Sequence, residues 1–387
     1  MFVLRGALFF EEVSEIEADM QFMRQALALA QKGLGFVSPN PMVGAVIVRD
    51  GTVIGEGHHA QYGGLHAERN AFADCDRRGI DCTGASLYVT LEPCCHHGKQ
   101  PPCTEAILAH GIRRVIIGSR DPNPLVAGKG VQFLREHGIA VTEDVLRAEC
   151  DRINEIFFHY ITCKTPFVTM KYAMTADGKI ACFTGKSKWI TGESAREDVQ
   201  VQRLKHSAVM AGIGTVLADD PMLTCRLANG RNPVRILCDS SLRIPLNSKI
   251  VQTAKDVPTM IAAAQPDPEK ARILEAAGCR IVTASGTDGK VDLPALMQIL
   301  GGELQIDSIL LEGGAALNWS ALQSGIVRKI RAYIAPKIFG GAAAKTPVGG
   351  IGVAEPDHAF MLTDSAAEMI GGDLVIESRV KYVHRNC

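Results

Sequence analysis

The sequence is poor in aromatic residues, which make up 5% of 387 positions. That is too few for a base-stacking platform carrying single-stranded nucleic acid. Net charge is also lacking: 41 Lys and Arg against 42 Asp and Glu leave −1 at pH 7. No global field therefore draws a polyanion. No run of about 18 apolar residues appears, so no membrane span is expected. Residues 1–19 open on a short apolar stretch, Phe2 to Phe10, and turn acidic, without a secretory cleavage pattern. They read as an ordered or frayed extension, or as residues upstream of a start at Met20. Internal repeats and low-complexity tracts are missing as well.

What is present describes an ordinary globular chain, 47% hydrophobic and 21% charged. At this length two cores are expected, each of roughly 150 to 200 residues. Lys164-Thr165-Pro166 breaks the chain and sets the boundary: an extension over 1–19, one domain over 20–164 and another over 165–387. Twelve cysteines raise the question of disulfides. A long chain without a leader, holding adjacent Cys94 and Cys95, reads better as a cytoplasmic metal protein.

The metal reading rests on Gly64-Leu65-His66-Ala67-Glu68, followed by Glu92-Pro93-Cys94 and Pro101-Pro102-Cys103. His66, Cys94 and Cys103 supply three zinc ligands, and three ligands leave a position for water, as in catalytic sites. Glu68, two residues after the His, is placed to carry protons for that water. Together these are the parts of a zinc deaminase, in which an activated water attacks an amino-bearing ring carbon. In the general signature the second Cys lies three positions after the first, whereas here Cys103 lies nine positions after Cys94. Cys95, His96 and His97 therefore stand as rival ligands, and a purely structural zinc site is the plainer alternative. Cys94 and Cys103 are preferred because each directly follows a Pro at a loop or helix start, where a thiolate is favoured.

Periodicity predicts a helix over Met20–Gly33, strands over Val43–Val48 and Val53–Gly57 about Asp50-Gly51, and a helix over His66–Arg78. A strand over Leu87–Leu91, helices over Thr104–His110 and Gly130–His137, a strand over Val115–Gly118 and one helix over Val145–Cys163 follow. The second half predicts a largely parallel sheet with helical crossovers, beginning at Phe167. There Leu311-Glu312-Gly313-Gly314-Ala315 is a strand-to-helix turn that suits a phosphate, though such turns are more often only turns. Gly212-Ile213-Gly214 fails as a dinucleotide fingerprint, since Leu217 stands where a third glycine belongs.

The chain resembles the bifunctional deaminase/reductase family of riboflavin biosynthesis. The resemblance is carried by Ser38-Pro39-Asn40-Pro41-Met42-Val43-Gly44, by Glu92 through Cys103, and by Asp121-Pro122-Asn123-Pro124. In the second half it is carried by Lys188-Trp189-Ile190-Thr191 and by Thr215 through Pro221. Long cysteine spacing is that family's variant. Leu65 and Cys95 depart from the family's usual Pro and Ser without removing a chemical role.

The resemblance implies a cytidine-deaminase-like α/β/α domain followed by a dihydrofolate-reductase-like α/β domain. It implies zinc and NADPH as cofactors and phosphorylated pyrimidines as substrates, with deamination at ring carbon 2 and then reduction of ribosyl to ribityl. It implies pyrimidine contacts at Asn40, His59 and Lys99. NADPH contacts are implied at Ala173, Trp189, Thr215, Asp219 and Ser240 and along Gly314, Ala315, Ala316, Leu317, Asn318, Trp319 and Ser320. Contacts to the reductase substrate are implied at Ser187, Arg203, Leu223, Arg226 and Glu312. Two arginines suit a phosphate, which a guanidinium binds with paired hydrogen bonds, although a lone Arg is more often a solvated charge. A homo-oligomer is expected, with no nucleic acid or membrane partner. The rival readings are a deaminase of nucleic-acid bases with an accessory domain, which predicts basic faces, and a non-catalytic zinc-stabilised binding module, which has no use for Glu68.

Overall fold

The computed structural model describes residues 2–98 and 100–382, with side chains from residue 15 onward. Two compact units divide between Thr162 and Cys163. No helix among the described residues is long and apolar enough to cross a membrane.

The first unit runs α1 (Phe2–Ala30), β1 (Gly44–Arg49), β2 (Thr52–His58), α2 (Ala67–Arg77), β3 (Ser86–Leu91), α3 (Cys103–Ala109), β4 (Arg114–Ser119), α4 (Lys129–Glu136), β5 (Ala140–Thr142), α5 (Arg147–Ile153) and α6 (Glu155–Cys163). Its sheet has the order β2-β1-β3-β4-β5. The β1 strand is antiparallel to both neighbours, while β3, β4 and β5 are parallel. Strand side chains alternate between two cores, as a period of two requires. Ala45, Ile47, Leu87, Val89, Val115 and Ile117 pack against α2, α3 and α4. Val46, Val48, Tyr88 and Ile116 pack against Met23, Ala26 and Leu27 of α1 and Cys150 of α5. Both faces of the sheet are therefore covered by helices.

The expected single helix over Val145–Cys163 is corrected to two. The chain leaves helical geometry at Asn154, where φ is −110° and ψ is 15°. Asn is a modest helix former, and here its side chain is bonded to the Met42 backbone instead of the local helix.

The second unit runs β6 (Phe167–Thr175), α7 (Glu193–Lys205), β7 (Ala208–Gly212), α8 (Ile213–Asp219), β8 (Val234–Cys238), α9 (Lys249–Gln252), β9 (Thr259–Ala263), α10 (Pro268–Ala276), β10 (Cys279–Thr283), α11 (Leu293–Gln298), β11 (Ser308–Leu311), α12 (Ala315–Gln323), β12 (Val327–Ala335), β13 (Met361–Ile370) and β14 (Asp373–Lys381). The sheet order is β10-β9-β8-β7-β11-β6-β12-β14-β13. Strands from β10 to β12 are parallel, and the terminal hairpin joins antiparallel. Val168, Met170, Met210, Ile309 and Leu311 face α11 and α12. Val209, Ala211, Leu237, Ile261 and Ala263 face α8, α9 and α10. In parallel sheets of this kind, ligands gather outside the carboxyl ends of the strands.

Candidate active sites

The first site assembles from three local devices. His66 is the N-cap of α2, Cys94 follows β3 in an irregular loop, and Cys103 is the first residue of α3. The α2 helix lies close on β2 because position 57 has no side chain: a Cβ on Gly57 would come within 2.3 Å of the Ala67 carbonyl oxygen. Asn70 Nδ2 then donates to the His58 carbonyl at 2.7 Å. Arg69 ties the same helix to the loop before Cys103, donating to the carbonyls of Pro101 and Pro102 at 3.2 and 2.9 Å.

These supports bring His66 Nδ1 to 3.5 Å from Cys94 Sγ and 3.4 Å from Cys103 Sγ. All three ligand atoms lie within 4.8 Å of one another, the one group of this kind among the described residues. Two thiols and an imidazole nitrogen at this spacing form a donor set that fits zinc. The backbone N–H of Cys103 also points at Cys94 Sγ, at 3.4 Å. Hydrogen bonds from Cys103 lower the Cys94 thiol well below its ordinary range, and the same interaction together with burial raises Cys103. Of the rival ligands, Cys95 is half-buried with its thiol raised by burial, His96 is half-buried and His97 is exposed. None of them joins the group.

A cavity of about 310 Å³ opens over this triad. His66, Cys94, Glu68, Asn40 and His59 all line it. Glu68 is 4% exposed. Burial, with the Cys94 charge behind it, pushes its carboxyl up. His59 is lowered by burial and is therefore neutral. Its Nδ1 faces the Leu65 carbonyl at 2.9 Å and must donate, which leaves Nε2 to accept from Asn40 Nδ2 at 3.1 Å. This arrangement commits the amide nitrogen of Asn40 and fixes its orientation at the cavity. Lys99 lies outside the described residues.

Several contributors were given no place at this cavity from sequence: Asp121, Asn123 and Glu92 were read only as carriers of the resemblance and His96 only as a rival ligand. Asp121, Asn123, His96 and Phe157 also line the cavity. Burial pushes the Asp121 carboxyl up to about 6. Glu92, 4% exposed, accepts from the backbone N–H groups of Asp121, Gly128, Gly130 and Val131 at 3.0 to 3.4 Å. It thereby clasps the loop that forms the far wall. Its place directly after a strand and before Pro93-Cys94 was the available signal. Glu92→Ala is expected to destabilise the fold by about 3 kcal/mol, since buried donors to a carboxylate are left unpaired. A lower midpoint for the first transition in denaturant unfolding would show it, and an unchanged midpoint would refute the clasp.

The second unit brings its own set together at the carboxyl ends of β6, β7 and β11. Arg203 on α7 pairs with Glu312 after β11: Nε to Oε1 at 2.6 Å and Nη2 to Oε2 at 3.0 Å. Nη1 of Arg203 donates to the Thr224 carbonyl beside Leu223 at 2.8 Å. Lys171 Nζ stands 3.8 Å from Glu312 Oε2. Burial would raise Glu312, but Arg203 and then Lys171 outweigh it and hold the carboxyl at about 2. Arg226 is anchored by its backbone N–H to Gln200 Oε1 at 3.1 Å, and its charge reaches Glu312.

Gly314 is the N-cap of α12, and a Cβ there would sit 3.5 Å from Thr215 Oγ1. The turns after β11 and β7 are therefore neighbours, and the N-terminus of α12 between them is of the kind that suits a phosphate. A Cβ on Gly313 would come within 2.6 Å of Asn318 Oδ1, an oxygen that is buried and has no hydrogen-bond partner. This close approach requires glycine. These turns fit a dinucleotide phosphate. Within Gly314–Ser320 the side chains of Asn318 and Trp319 are engaged inside the protein: Asn318 Nδ2 donates to the Pro347 carbonyl at 2.8 Å, and Trp319 packs edge-on against Phe360. Ser240 lies just beyond β8, Asp219 ends α8, and Ala173 is on β6 opposite Tyr333. Trp189 is 63% exposed with the Arg196 guanidinium 4.9 Å from its ring centre. Ser187 lies in the loop between β6 and α7.

Fold and sites define a two-unit enzyme, a zinc deaminase of the cytidine-deaminase class joined to a reductase. Residues 16–119 match the family described as the cytidine and deoxycytidylate deaminase zinc-binding region, and residues 166–376 match the RibD C-terminal domain. The riboflavin biosynthesis protein RibD of Actinobacillus pleuropneumoniae is 53% identical over 93% of this chain and 94% of its own length. That of Aquifex aeolicus is 40% identical over 93% and 98%. Among solved structures, RibD of Acinetobacter baumannii is 33% identical with a TM-score of 0.84, covering 95% of this chain and 100% of that one. The chain belongs to the RibD family of bifunctional deaminase/reductases in riboflavin biosynthesis. Its cofactors are zinc and NADPH.

Proposed function

We propose that residues 20–164 deaminate 2,5-diamino-6-ribosylamino-4-pyrimidinone 5'-phosphate at carbon 2 and that residues 165–387 reduce the ribosyl group of the product to ribityl. The observation that carries the first step is the convergence of His66, Cys94, Glu68 and Asn40 on one cavity, with Cys103 grouped behind it with His66 and Cys94. His66 Nδ1 and the two Sγ atoms would hold zinc, which when bound supplies a water acidic enough to ionise near neutral pH. Glu68, buried beside it, takes a proton at its carboxylate and returns it to the departing ammonia. Asn40 and His59 orient the pyrimidine, and Lys99 completes the set by resemblance alone.

In the second unit the Gly313-Gly314 turn, Thr215, Asp219, Ser240, Ala173 and Trp189 would hold NADPH, which when bound supplies a hydride. Arg203 is held flat by Glu312, so its position is set before substrate arrives, and Arg226 takes the phosphate with Ser187 and Leu223 beside it. A solved relative from Thermotoga maritima, 38% identical, is a diaminohydroxyphosphoribosylaminopyrimidine deaminase/5-amino-6-(5-phosphoribosylamino)uracil reductase, which supports this pair of substrates. We place the enzyme in the cytoplasm as a homo-oligomer, to be read by fractionation and light scattering. The direct test is ammonia release and NADPH consumption by the purified chain with that pyrimidine; failure of either removes the corresponding half.

Arg226→Ala should raise the Michaelis constant of the reductase substrate about tenfold to a hundredfold, since a charge-assisted contact is worth roughly 1.5 to 3 kcal/mol. Deamination should be untouched. An unchanged constant would leave Arg226 a surface charge, and a parallel loss of ammonia release would contradict independent units.

A further inference from the structure

The segment from Asn40 to Val43 belongs to no strand, yet Asn40, Pro41 and Val43 all line the cavity. Backbone groups in such a segment have no ladder partners and must be satisfied elsewhere. The Val43 carbonyl accepts from the His59 N–H at 2.9 Å. Both groups of Met42 are satisfied by one side chain 112 residues away. Its N–H donates to Asn154 Oδ1 at 2.8 Å, and its carbonyl accepts from Asn154 Nδ2 at 2.9 Å.

Asn154 is 2% exposed and sits at the break between α5 and α6. Three residues on, Phe157 lines the same cavity. A primary amide offers a donor and an acceptor side by side, the pair one peptide unit requires. Asp would keep the acceptor but turn a second oxygen toward the Met42 carbonyl. Leu has a similar shape and offers neither group.

We infer that Asn154 is a positioning residue of the deaminase: by clamping both backbone groups of Met42, it holds Asn40 against His59 at the edge of the substrate cavity. The α5–α6 break serves this purpose, setting the clamp and the Phe157 wall on one stretch of chain. The inference rests on the reading that the cavity takes the pyrimidine and that Asn40 contacts it.

The test is a double-mutant cycle on ammonia release by the full-length, zinc-loaded chain. Asn154→Leu should raise the Michaelis constant for the diaminopyrimidine about tenfold, as expected when a buried clamp is lost. The turnover number should stay within about threefold, because ground-state binding is what is lost. Zinc content and NADPH-dependent reduction should match the parent chain. Asn40→Ala should raise the same constant, and adding Asn154→Leu to it should raise it little further, since the two act through one contact. Asn154→Asp, which keeps the bond from the Met42 N–H, should fall between parent and Leu. If Asn154→Leu does not retain zinc, the cycle is read on Asn154→Asp. A parental constant, or an effect of equal size with and without Asn40, would reduce Asn154 to general support and overturn the inference. A parental constant for Asn40→Ala would instead defeat the reading of the cavity on which the inference rests.

Discussion

Cys103→Ala is expected to yield a chain without zinc and without measurable deamination, while reduction of the already deaminated substrate proceeds at its normal rate. The reason lies in the ligand count. Among the described residues the candidate ligand atoms that gather within 4.8 Å of one another are three, His66 Nδ1 and the Sγ atoms of Cys94 and Cys103. An open catalytic site has no spare ligand to cover a loss. Cys103 is fully buried at the start of α3, and its backbone N–H also steadies the Cys94 sulfur. Cys95→Ala and His97→Ala remove side chains that are outside the group, and both should retain full zinc. His96→Ala should retain it too, although His96 lines the cavity and its loss is expected to touch turnover. Zinc stoichiometry by atomic absorption on each purified variant decides the matter. Full occupancy in Cys103→Ala would remove it from the site and return His96 to consideration.

The zinc group could be read from sequence because its parts are local. His66 sits where a helix starts, Cys94 follows a strand and Cys103 follows two prolines, and each of those boundaries leaves a mark in composition or periodicity. The cavity walls left weaker marks. Asn154 makes its bonds to Met42 across 112 residues, and nothing in one sequence pairs two positions so distant. The polar Asn inside an otherwise helical stretch was the one hint that the helix breaks there. Arg203 and Glu312, 109 residues apart, were linked only by resemblance for the same reason. The terminal hairpin was missed on other grounds. Met361–Ile370 has almost every side chain exposed, so no apolar face imposes the alternation that marks a strand. The α9 helix, four residues long, is too short to show a period.

Glu68→Gln should keep zinc, keep the fold and cut deamination by a factor on the order of 10² or more, the usual worth of a positioned proton carrier. The amide has the size and shape of the carboxylate, so the packing around a residue 4% exposed is preserved. What it lacks is the ability to accept a proton and give it back. Glu68 lies in the first turn of α2, two residues from the N-cap His66. That spacing brings its carboxylate to the cavity beside the ligands without making it one of the three. Its burial already favours the protonated state, aided by the Cys94 charge, as befits a group that must return a proton and not only remove one. A structural acid at this position would behave differently: neutral Gln would relieve a buried carboxyl and leave turnover intact. Three measurements on one preparation separate these cases. Zinc content should equal that of the parent chain, NADPH oxidation with the deaminated substrate should be unchanged, and ammonia release should collapse. Near-parental ammonia release would end the assignment of Glu68 as proton carrier, and loss of zinc would make it a ligand instead.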